Sequence, residues 1–197
     1  YTAMADKHEY INRIKVTAKD KESIAKALAV YSGFTEGLQL FSSFAILLNF
    51  PRFGKMKGMG QIITYSIRDE SLHVEAMTKL FREFIKENID LWTDDLKKQI
   101  YQACRDMVEL EDQFLNLVFK QGDIEGLTQD DMNKYIRYIA DRRLLQLGLK
   151  PNYKVSKNPL TWLDDVLGVE HQNFFEGRAT SYMKAGLRGN PEVVSFA

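Results

Sequence analysis

Apolar residues recur at steps of three and four along most of the chain, a spacing that predicts helices with short connections. The first such stretch follows Asp20, a good N-cap residue, and runs from Lys21 to about Asn49. Its second half, GFTEGLQLFSSFAILLNF, is apolar almost all round, as expected of a helix enclosed by others. Pro51, Gly54, Gly58 and Gly60 mark a loop, PRFGKMKGMG, whose Arg52, Lys55 and Lys57 read as solvated. A second helix is predicted from about Gly58 to Asn88, with a stripe of Ile63, Ser66, Glu70, His73, Met77, Leu80, Phe81 and Phe84. A third runs from Asp94 to before Gly122 along Leu96, Ile100, Ala103, Met107, Leu110, Phe114 and Leu117. A fourth starts at Thr128, where Thr-x-x-Asp131 resembles a capping box, and continues through Met132, Ile136, Ile139 and Leu144 to Gly148. Beyond Pro151 the pattern weakens: an extended connection, a short helix in VEHQNFFEGRATSY, and a tail over 183–197. No stretch alternates with period two. The expected fold is an all-α helical bundle, with residues 1–197 as one helical domain.

Two of these stripes carry charge where the pattern demands apolar residues. Glu70 and His73, in RDESLHVEAM, are three apart and therefore neighbours on one helix face. Glu36 shares a face with Gly33, Leu40, Phe44 and Leu47. An unpaired buried charge is costly even after relaxation. A metal ion would offset that cost, because its charge compensates carboxylates and its bonds replace their hydration. Carboxylates with an imidazole and no thiolate suit iron or manganese better than structural zinc. In dimetal helix bundles two helices each supply a Glu, and two more supply a Glu-x-x-His pair. Glu36, Glu70 and His73 are half of that set, and no second Glu-x-x-His is present. The other half would lie upstream of Tyr1 or on another chain. The alternative is a satisfied core in which Glu70 bonds His73 and Glu36 pairs with Arg68.

Composition narrows the class. The chain has 197 residues, 45% hydrophobic and 27% charged, with a formal net charge of zero, which gives no electrostatic argument for nucleic acid or an anionic membrane. One cysteine, Cys104, excludes an internal disulfide framework and fits a reducing compartment; beside an apolar stripe it reads as core filler. No apolar run reaches membrane-spanning length and no signal peptide is evident. Tyr1 in place of an initiating Met suggests a fragment or processed piece. His8 reads as solvated, Glu170 and His171 as a surface pair, and the nine tyrosines mostly as packing residues. Arg142 and Arg143 are expected to pair with Asp141 or with a neighbouring helix.

With these residues placed, the chain resembles the small, radical-generating subunit of class I ribonucleotide reductase. The resemblance rests on TEGLQLFSSFAILLNF around Glu36, on IITYSIRDESLH ending at His73, on the interval between Glu36 and Glu70, and on the closing NPLTWLDDVLGVEHQNFFEGRATSY. It implies that Glu36, Glu70 and His73 ligate a dinuclear centre of iron, manganese or both. It implies that Asp69 orients a ligand imidazole and joins a radical-transfer route, and that Leu40, Phe44 and Ser66 line the pocket beside the metals. It further implies a large catalytic subunit as partner, a homodimer, a cytoplasmic setting, and no nucleic-acid or membrane partner. The family's remaining ligands and radical-bearing residue precede the region seen here, and its C-terminal docking tail is not evident, so the piece alone is expected to be inactive. Two other readings share the helices: a different ferritin-like dimetal oxidase or oxygenase using the same three ligands, and a metal-free helical interaction module.

Overall fold

In the computed structural model, which describes residues 2–14 and 20–166, each long helix starts at a residue able to satisfy its first free N–H groups. The Asp20 side chain accepts from the Glu22 N–H at 3.1 Å and caps α2, Lys21–Val30. The rod continues without interruption through a π-helical segment, Tyr31–Gln39, into α3, Leu40–Arg52. Helix α4, Lys57–Glu87, follows after a short loop. Thr93 accepts from the Leu96 N–H at 3.1 Å and opens α5, Asp94–Val118. Thr128 and Asp131 form a reciprocal capping box on α6, Gln129–Gln146. An amino-terminal helix, α1, Thr2–Asn12, precedes them all. Among the described residues no β-strand forms; a single bridge joins Ile124 and Leu127. The all-α reading holds, and so do the four long helices. Glu170, His171 and the tail over 183–197 lie outside the described residues.

The π segment sits at the centre and touches α2, α3, α4, α5 and α6. Phe34 and Leu38 point from it into a continuous core with Ile67, Phe81, Leu96, Ile100, Met107, Leu115, Met132, Ile136 and Leu144. Helices α3 and α4 meet closely because residue 60 is glycine: a Cβ there would lie 2.4 Å from Pro51 Cγ. Cys104 is fully buried, and burial pushes its thiol up to about 12, consistent with a packing role.

The buried face of α4 is rotated from the expected stripe. Ile67, Val74, Thr78, Phe81 and Ile85 enter the core, whereas Leu80 is 50% exposed and His73 is also exposed. Periodicity locates an apolar side but not its centre, and no described element covers the flank that carries His73 and Leu80. Arg52 is more than a solvated loop cation. It donates to Asn49 Oδ1 at 2.7 Å and lies 4.2 Å from the Trp162 ring centroid. Nor does Asp141 pair with Arg142 or Arg143. It accepts from the backbone N–H groups of Asn152, Tyr153 and Val155 at 2.7, 2.8 and 2.9 Å, and so fixes the start of the extended connection after α6.

Helix α1 has a weak apolar face, Ala3, Tyr10 and Ile11, and a buried ion pair also ties it to the bundle. Lys7 meets the fully buried Glu111 of α5, which also accepts from the Ser42 hydroxyl. Lys7 additionally lies 4.0 Å from the Phe114 ring centroid. Glu111 continues the apolar series Cys104, Val108 and Leu115, so its burial was readable from spacing but overlooked. Burial holds its carboxyl above the ordinary value, against the opposing pull of Lys7 and Ser42. The folded chain therefore keeps a proton that the unfolded chain has released, and this group's contribution to stability declines as pH rises from the ordinary carboxylate range towards the raised value. Lys7→Met should cost about 3–5 kcal/mol near neutral pH, as expected when one partner of a buried pair is removed. The loss should be smaller at about pH 5, where the carboxyl more readily takes a proton. Urea unfolding at the two pH values checks this, and an equal loss at both would contradict it.

Candidate metal centre

Glu36 lies in the π segment, where N–H groups bond to carbonyls five residues back rather than four. Such turns are uncommon and cluster at functional positions. Glu70 and His73 lie one turn apart on α4, which packs against the π segment. The two elements bring the three side chains together. One ligand-capable atom from each of Glu36, Glu70 and His73 falls within 4.8 Å of the others, the one such group of three among the described residues. His73 Nδ1 stands 3.5 Å from Glu70 Oε2.

The three differ in exposure. Glu36 Oε2 is buried and has no hydrogen-bond partner. Burial, and then the nearby Glu70 carboxylate, push the Glu36 carboxyl up from its ordinary value, while His73 pulls it down. The Glu70 side chain is 25% exposed and that of His73 62%. The expectation of three interior side chains therefore holds only in part for Glu36 and Glu70, both half-buried, and not for His73, which is exposed. The group opens onto the uncovered flank of α4.

The other expected positions are less uniform. Asp69 is exposed on α4, next to Glu70 in sequence. Leu40, one turn beyond Glu36, is 37% exposed, whereas Phe44 is buried and makes an edge-on contact with Phe41 at 5.9 Å between ring centroids. Ser66, one turn before Glu70, is half-buried and donates to the Ile62 carbonyl at 3.2 Å. That local bond satisfies its hydroxyl, which removes the difficulty of a polar group on this face. His8 is exposed, as expected. Sequence reasoning missed the π segment, since i, i+3, i+4 spacing does not distinguish one wide turn from an α-turn.

Two carboxylates and an imidazole form a hard, partly anionic donor set suited to iron or manganese. The buried Glu36 oxygen, lacking any protein donor, is the atom that a cation would satisfy. The residues present thus fit a metal ion.

Comparison with known proteins gives the same direction. Residues 1–159 match the family model described as "Ribonucleotide reductase, small chain". The chain is 44% identical over 207 aligned positions to "Probable ribonucleoside-diphosphate reductase small subunit 048L" of Invertebrate iridescent virus 3, covering 96% of this chain and 55% of that one. It is 37% identical to "Ribonucleoside-diphosphate reductase subunit beta" of Chlamydia pneumoniae, covering 82% and 46%. Its fold matches the ribonucleotide reductase R2 subunit from Clostridium botulinum with a TM-score of 0.77, 26% identity, and 85% and 53% coverage. The chain spans about half the length of such relatives. With its fold and most of its length matched, the chain belongs to the ribonucleotide reductase small-chain family.

Proposed function

We propose that Glu36, Glu70 and His73 are metal ligands and that the protein containing this chain is the small subunit of a ribonucleoside-diphosphate reductase. The observation that carries the reading is the convergence of the three groups on one point, with the buried Glu36 oxygen left without a protein partner. The family holds a dimetal centre, and we assign these three residues to half of its ligands, the metals being iron, manganese or one of each. When bound, that centre would supply the one-electron oxidising power needed to start ribonucleotide reduction in a large catalytic subunit.

The chain's own residues would then do four things. Glu36 and Glu70 supply negative charge and oxygen donors, and His73 supplies a nitrogen from the more open side. Phe41 and Phe44 place apolar surface on α3, in the turns that follow Glu36, and limit water on that side. Asp69 stands at the surface next to a ligand, a position from which it can accept a hydrogen bond and relay a proton towards the docked partner. Leu40 and Ser66 flank the ligands one turn away on either helix. No helix among the described residues is long and apolar enough to cross a membrane. Ribonucleotide would bind the large subunit, and we place the working assembly, a homodimer of small subunits with its partner, in the cytoplasm.

Glu70→Ala in the full-length protein should lower iron or manganese content to a minor fraction of that of the unaltered protein, measured by elemental analysis after loading. Retention of full metal content would count heavily against the ligand assignment. Asp69→Asn should leave metal content nearly unchanged yet reduce turnover with the large subunit by about 10-fold or more, the range typical when groups beside a metal site are altered. Unchanged turnover would remove Asp69 from the transfer route.

A further inference from the structure

Arg143 is buried without a counter-ion. The side chain comes from α6, the residue is only 7% exposed, and it makes no ion pair among the described residues. Burial lowers its guanidinium to about 10. Its Nε donates to the Gly37 carbonyl at 2.8 Å, and Nη1 donates to Gln146 Oε1 at 2.9 Å. The guanidinium carbon also sits 4.8 Å from the Phe41 ring centroid. The side chain thus reaches across from α6 to the residue after Glu36 and to the first turn of α3.

Gly37 is shaped to receive it. A Cβ at position 37 would lie 2.6 Å from Arg143 Nε and 2.7 Å from the Ser32 carbonyl oxygen. Any larger residue would displace either the guanidinium or the backbone of the π turn. The last residue of the segment is held separately, Gln39 Nε2 approaching Met107 Sδ of α5 at 3.1 Å. Register matters here because one residue of slip between π and α turns rotates a side chain by about 100° around the axis. Glu36 would then leave Glu70 and His73. A charged donor makes a stronger hydrogen bond to a carbonyl than a neutral one, so a buried guanidinium is well suited to hold such a turn.

We propose that Arg143 and Gly37 form a latch that holds the π-helical register and thereby positions the Glu36 carboxylate for metal binding. This rests on the ligand role proposed for Glu36. Arg143 touches neither metal nor substrate and acts only through the segment it grips.

The test uses the full-length protein with Mn(II) alone as the probe, titrated by electron paramagnetic resonance, alongside thermal unfolding of the metal-free protein. Arg143→Met should weaken Mn(II) binding by about 10-fold, the lower end expected for groups that orient ligands, and should change the bound-ion spectrum. Arg143→Lys, which keeps the charge and one donor, should restore part of the affinity. Gly37→Ala should weaken binding similarly, and the Gly37→Ala/Arg143→Met double variant should be little worse than the weaker single one, because both break one contact. Unchanged Mn(II) affinity and spectrum in Arg143→Met, or losses that multiply in the double variant, would overturn the latch. If Arg143→Met does not fold, Gly37→Ala decides, and unchanged affinity there overturns the proposal. Glu70→Ala separates the two levels. If it binds Mn(II) as well as the unaltered protein, the ligand reading fails and the latch with it. If it loses Mn(II) while Arg143→Met does not, the latch alone fails.

Discussion

The π-helical stretch Tyr31–Gln39 is the constraint on which the candidate site depends. It places Glu36 opposite α4, where Glu70 and His73 stand one turn apart. It does so inside an otherwise regular rod that runs from α2 into α3, so the departure from α-geometry is confined to the residues around the ligand. An uncommon helical form maintained at such a position is a feature of function more than of folding. Five neighbouring elements touch this segment, and the glycines at 33 and 37 admit α6 on one side.

Charge burial around the same segment follows a consistent logic. Glu111 is fully enclosed and matched by Lys7 and Ser42. Asp141 is enclosed and matched by three backbone N–H groups. Arg143 is enclosed and matched by a carbonyl and an amide oxygen. Each of these charges faces an opposite charge or a hydrogen-bond partner within the chain. Glu36 differs, for its inner oxygen has no donor, and the nearest ionisable carboxylate disfavours its charge. Structural burial explains the first three residues, whereas Glu36 calls for a cation from outside the polypeptide.

Much of this was legible in the sequence because helix signals are local. Asp20, Thr93 and Thr128 start helices where their side chains can accept, and long apolar stripes fix element type. The convergence of Glu36 with the Glu70–His73 pair was likewise visible as charge on apolar faces. What was hidden depends on tertiary contacts. Helix α1 has only a weak apolar face and is held also by Lys7 and by Tyr10, whose hydroxyl donates to Asp106 Oδ2 at 3.0 Å. The rotation of α4 arose because its neighbours, not its own pattern, choose which side is covered. Of the two partners expected for Arg143, Asp141 and a neighbouring helix, the structure selects the second, because on a helix successive side chains point apart.

The central claim is that Glu36, Glu70 and His73 share one cation. The most direct measurement is a crystal structure of the full-length protein soaked in Mn(II), with anomalous differences collected at a wavelength where manganese scatters strongly. The account requires an anomalous peak bonded to a Glu36 oxygen, a Glu70 oxygen and a His73 nitrogen. No peak there, with Glu36 turned instead to a donor from the protein, would contradict it.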